Sequence, residues 1–86
     1  MKVAYDIRAI GKGQGVCYRA STKEKAHELN ITGWCQNLEN GNVQIHAEGT
    51  QVDLQALLLW CKMGPPKAIV ENVDFTEVEL KNYSEF

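Results

Sequence analysis

The apolar pattern of this chain changes period in the order strand, helix, strand, strand, helix, strand, and few folds accommodate that order. From Lys2 to Ile10 it alternates, with Val3, Tyr5, Ile7 and Ala9 on one face and Lys2, Asp6 and Arg8 on the other, as a half-buried strand does. Gly11, Gly13 and Gly15 break the alternation, and from about Ala20 to Leu29 the residues Thr22, Ala26 and Leu29 recur at helical spacing. A glycine loop therefore joins a strand to a helix, and Asn30 is suited to close that helix in a left-handed conformation. Gly33 to Leu38 reads as a second strand. Asn40-Gly41 predicts a tight primed turn, with positive φ at both positions, into a third strand from Val43 to Glu48 that puts Val43, Ile45 and Ala47 on one face. Thr50 followed by Asp53 resembles a capping box, after which Leu54, Leu57, Leu58 and Cys61 form the apolar stripe of a second helix that Gly64 and Pro65 end. Ala68 to Val78 makes a fourth strand, in which Val70 and Val73 fall out of step and predict a bulge; Lys81 to Phe86 leaves room for a short fifth.

Two right-handed βαβ units in this order give an α+β, ferredoxin-like βαββαβ sandwich: an antiparallel sheet with both helices on one face. No repeat or linker divides the chain, and 86 residues suit one modest core, so residues 1–86 are expected to form a single domain. In this topology the first and second strands run parallel without being neighbours, and their C-terminal ends meet at one edge of the sheet. The glycine loop follows the first strand and Asn37 closes the second, so Arg19 and Asn37 are expected to converge.

The formal charge is −2 with both signs mixed along the chain, which offers no field for nucleic acid or an anionic membrane. No apolar run is long enough to span a bilayer, and Met1-Lys2-Val3 leads into the alternating strand instead of a signal peptide, so a cytoplasmic protein is expected. Cys17, Cys35 and Cys61 are odd in number and widely spaced, which fits free thiols better than a disulfide framework or a metal site. His27 lies among charged residues and His46 alternates with apolar ones; both read as solvated surface residues, leaving no metal ligand set.

A glycine loop feeding a helix start presents backbone N–H groups to an anion of phosphate size, with the helix dipole behind them. Arg19 adds a planar guanidinium that bonds two phosphate oxygens at once. A nucleotide P-loop would end in Gly-Lys-Ser/Thr and a dinucleotide fingerprint would place its third glycine one residue later, so neither fits. Only Tyr18 separates Cys17 from Arg19, too little for a cysteine-nucleophile phosphatase loop, and Cys17 reads as a packing residue.

The run Gly11-Lys12-Gly13-Gln14-Gly15-Val16-Cys17-Tyr18-Arg19 resembles the acylphosphatase signature Gly-x-Val-Gln-Gly-Val-x-aromatic-Arg. Gly33-Trp34 with Asn37, Asn40-Gly41 with Val43, Gly49, Trp60, Gly64-Pro65, Ala68, Val70 and Val73 match the family in the same order, nearly to the end of the chain. The resemblance implies metal-free, cofactor-free hydrolysis of acyl phosphates such as acetyl phosphate by a monomer. It assigns phosphoryl binding to Arg19 and the backbone of Gln14, Gly15, Val16, Cys17 and Tyr18, and orientation of the attacking water to Asn37. The alternative is a catalytically inert domain of the same family that binds a phospho-ligand or a protein. An RNA-recognition domain is disfavoured because Gln14 and Val16 stand where its stacking aromatics belong. Trp34 and Trp60 are read as core residues.

Gly13 stands where the family usually carries valine. If relatives hold a β-branched residue there, the backbone needs no positive φ, and Gly13→Val should raise stability by about 0.5–1 kcal/mol while binding phosphate at least as tightly. Paired thermal unfolding and phosphate inhibition test this; a lower midpoint with weaker inhibition would refute it.

Overall fold

The computed structural model describes every residue except 13–16 and 67. Its elements are β1 (Lys2–Lys12), α1 (Tyr18–Glu28), β2 (Thr32–Asn37), β3 (Val43–Thr50), α2 (Gln51–Met63) and β4 (Ile69–Val78). The strands form one antiparallel sheet in the order β2-β3-β1-β4. Both helices pack on one face, the ferredoxin-like arrangement that the periods predict.

The core lies between that face and the helices. Tyr5, Ile7 and Ala9 of β1 and Val43, Ile45 and Ala47 of β3 meet Leu54, Leu57, Leu58 and Cys61 of α2 and Tyr18 and Ala26 of α1, all buried. Thr50 caps α2, its hydroxyl accepting from the Asp53 amide at 3.2 Å, and Gly64 ends the helix. Asn30 takes the left-handed conformation (φ 57) that the sequence suggests. The bulge is also present: Ile10 pairs with Asn72 and Gly11 with Val70, so Glu71 is the extra residue.

Four expectations need correction. The β2–β3 turn is not the two-residue primed type, because Gly41 has positive φ (88°) and Asn40 does not. Leu38 donates to the Asn42 carbonyl at 2.8 Å and Gly41 to that of Leu38 at 3.0 Å, the pattern of a three-residue loop whose last residue is left-handed. Lys81–Phe86 forms no fifth strand. That segment instead crosses the outer face of the sheet, and the reason is Glu48, which is 1% exposed and accepts from the Lys81 amide at 2.6 Å and the Tyr83 amide at 3.0 Å. His46 is buried rather than solvated: its ring stacks on Trp34 (5.8 Å, 14°), meets Tyr83 edge-on and bonds Glu48 at 2.8 Å. Trp34 therefore belongs to this outer layer, its indole N–H donating to the Tyr83 hydroxyl at 3.2 Å, whereas Trp60 does pack against the core beside Tyr18.

Gly33 lets the tail and β3 approach β2 together. Its φ is 136°, a Cβ would lie 1.7 Å from the His46 carbonyl oxygen, and its amide donates to Glu85 at 2.9 Å. Any side chain here would push β2 off β3.

Candidate active site

Alternation along β2 decides which side its residues serve. Trp34 lies on the outer face with His46, so Cys35 and Asn37 lie on the helix side, opposite Ile45 and Val43. Cys35 confirms this with an S–H contact to the Arg19 carbonyl oxygen at 3.8 Å, which ties the first turn of α1 to β2 two residues before Asn37. Ala9 and Asn37 both pair with Val43, so they stand in one row across the sheet, and β1 continues beyond that row into the glycine loop. Arg19 and Asn37 are both exposed at this edge.

The loop residues Gln14, Gly15 and Val16, with Gly13, lie outside the described residues. Cys17, which precedes α1, is described and is no packing residue: it is exposed and left-handed (φ 72). That conformation costs a residue with a side chain about 1–2 kcal/mol. Ser21 makes a helical bond to the Cys17 carbonyl at 2.8 Å, so the amides ahead of it, from Tyr18 to Ala20, open the helix without intrahelical acceptors. The Tyr18 side chain turns away into the core and donates to the Cys61 carbonyl at 3.0 Å; burial pushes its phenol far above the usual range. What Tyr18 can offer an anion is its backbone alone.

Cys35 and Cys61 stay protonated at neutral pH. Burial raises Cys35 above the ordinary cysteine value, with the charges of Arg19 and Lys23 opposing the shift, and burial pushes Cys61 up to about 12. All three cysteines are free. Among the described residues no three His, Cys, Asp or Glu side chains gather as a metal centre requires. Arg19, Ala20 and Lys23 of α1 face Gly33, Trp34 and Cys35 of β2 across an open cleft of ≈ 310 Å³ that Phe86 also borders. Sequence reasoning missed Lys23 and Phe86 as site neighbours. Lys23 was readable from its four-residue offset from Arg19, but the place of Phe86 depends on the crossing of the tail.

The acylphosphatase family model matches residues 5–86. The chain belongs to the acylphosphatase family. It is 53% identical over 74 residues to an acylphosphatase of Marinobacter nauticus, covering 86% of this chain and 80% of that protein. It is similar in structure to an acylphosphatase from Coxiella burnetii, with a TM-score of 0.94 at 39% identity over 99% of this chain and 90% of the other. The Bacillus subtilis acylphosphatase gives a TM-score of 0.93 at 32% identity, over 98% of this chain and 94% of that one. This acylphosphatase-family chain is thus an enzyme, and no described helix is long and apolar enough to cross a membrane.

Proposed function

We propose that the chain hydrolyses small acyl phosphates to a carboxylate and inorganic phosphate, as a metal-independent, single-domain cytoplasmic monomer. Arg19 and the amides from Gln14 to Tyr18 hold the phosphoryl oxygens, and Asn37 orients the attacking water. The observation that carries this reading is the common edge of Arg19 and Asn37, fixed by the Cys35 contact to the Arg19 carbonyl and by the row Asn37–Val43–Ala9.

The chemistry suits such a sparse site. The water oxygen bonds to phosphorus as the bond from phosphorus to the acyl oxygen breaks, the carboxylate leaves with the electron pair, and the protons of the water remain with phosphate. A carboxylate is a good leaving group, so holding the phosphoryl charge and aligning the water supply most of the acceleration, and a strong protein base is dispensable. Guanidinium and amide donors aimed at the equatorial oxygens stabilise the charge that spreads over them in the transition state.

Acetyl phosphate incubated with the purified protein in chelator should release phosphate. Asn37→Ala should lower kcat by ~10²-fold, the usual scale for a lost positioning group, while inhibition by inorganic phosphate stays near the wild-type level. A parallel loss of phosphate affinity would make Asn37 a binding residue. Phosphate binding without turnover in the wild type would favour the inert phospho-ligand module.

A further inference from the structure

The end of α2, far from Arg19 in sequence, is tied to the start of α1 by one side chain. Inside a helix the Cys61 carbonyl would accept from the amide four residues on, but that residue is Pro65, which has no N–H. The carbonyl is thus an orphan of the helix terminus. Cys61 is fully buried, and the donor that answers its carbonyl is the Tyr18 hydroxyl, at 3.0 Å.

The last turn of α2 is shaped to receive that phenol. Gly64 is left-handed (φ 66), and a Cβ there would lie 2.9 Å from Tyr18 Cε2, so its bare Cα leaves the space that the ring needs. Trp60 packs on the same ring with centroids 5.6 Å apart. At the backbone end of the residue, the Thr22 hydroxyl donates to the Tyr18 carbonyl at 2.8 Å. Tyr18 is therefore held by its hydroxyl, its ring and its carbonyl, and its amide is the part left to face the glycine loop.

The residue before it is strained. Cys17 carries a side chain at φ 72, is exposed, and caps nothing with its thiol, so it has no support of its own for that conformation. Such a residue persists only where its neighbours over-determine it, and the fixed neighbour is Tyr18. We infer that Tyr18 is a positioning residue for the phosphoryl cradle: its phenol, seated at the end of α2, keeps Cys17 left-handed and keeps the Tyr18 amide and the start of α1 at the angle that binds the anion. The inference rests on the phosphoryl group lying at Arg19 and the loop amides. Without the hydroxyl, the first turn of α1 is free to rotate against α2 and Cys17 to relax, and donors displaced by a fraction of an ångström bind the anion less well.

Tyr18→Phe deletes the tie and leaves the ring between Trp60 and Gly64, so the variant should fold. Ile7→Val, which takes one methylene from the buried middle of β1, is the control for lost stability alone. Inhibition by inorganic phosphate and turnover of acetyl phosphate are measured on the wild type and both variants, well below their unfolding midpoints. Tyr18→Phe should weaken phosphate inhibition by about 3- to 10-fold and lower kcat/KM by a similar factor, because the donors that hold the anion are misplaced. Ile7→Val should keep wild-type values of both while its midpoint falls. Unchanged phosphate inhibition in Tyr18→Phe, or an equal loss in Ile7→Val, would overturn the positioning role and leave the phenol as a stabiliser of the fold. A wild type that neither hydrolyses acetyl phosphate nor is inhibited by phosphate would instead overturn the phosphoryl site at Arg19, and the inference with it.

Discussion

Arg19→Ala should lose inorganic phosphate and acyl phosphate together, by on the order of 2–5 kcal/mol, or roughly 30-fold to a few thousandfold. The guanidinium is a permanent charge at the start of α1, and on the proposed reading the bound anion displaces the water between them. Removing one partner then leaves the anion held by backbone amides alone. Because the Arg19 side chain is exposed in the free protein, its loss should not disturb folding. Its carbonyl contact with Cys35 also survives truncation of the side chain. Arg19→Lys should recover only a small part of the loss, since an ammonium is a point charge without the two-pronged fork. Phosphate inhibition and turnover are read on the same preparations, with unfolding midpoints as the control. An Arg19→Ala variant with near-normal phosphate inhibition would place the anion elsewhere.

The sequence made the helix side of the sheet legible and left the outer side obscure. Tyr5, Ile7, Ala9, Val43, Ile45 and Ala47 announce their face by alternation, and the α2 stripe from Leu54 to Cys61 announces its own, because each element buries these residues against the core. Even the bulge was readable, since an extra residue must put Val70 and Val73 out of step. Alternation also places Asn37 on the helix side, where it meets the edge that holds Arg19. The outer face follows another logic. Gln44, His46 and Glu48 read as a solvent-facing polar row, yet His46 and Glu48 are buried because a segment without regular structure lies over them. Periodicity carries no signal for such a segment. The misreadings of His46, of Trp34 and of a fifth strand share this one cause. The turn at Asn40-Gly41 failed differently: the dipeptide suits both a two-residue and a three-residue loop, and only the pairing of Leu38 with Asn42 decides.

Glu48→Ala should be the most damaging single change on that outer face, costing about 2–3 kcal/mol, which corresponds to a fall in Tm of roughly 10–20 °C for a domain of this size. The carboxylate satisfies the amides of Lys81 and Tyr83 and the His46 ring at once, and alanine leaves the buried donors without acceptors. Burial alone would raise the Glu48 pKa, but the bonds from His46, Lys81 and Tyr83 and the attraction of His46 outweigh it and hold the group below the ordinary carboxylate value. Glu48 is therefore ionised at neutral pH, and His46 Nε2 donates to it. The cover is only one segment thick, which is why the expected cost stays below that of a deep core charge. Since the folded pKa is depressed, this stabilisation is complete above the unfolded value of about 4.3 and is lost as pH falls through the folded value. The gap in Tm between the wild type and Glu48→Gln should accordingly be constant near neutrality and narrow below about pH 4. Hydrogen exchange locates the effect: the Lys81 and Tyr83 amides should exchange faster in both variants, while amides of β1 and β3 remain the slowest in the protein. Unchanged protection at Lys81 and Tyr83 in Glu48→Ala would mean that the tail is held by the Trp34, His46 and Tyr83 rings and not by the carboxylate beneath it.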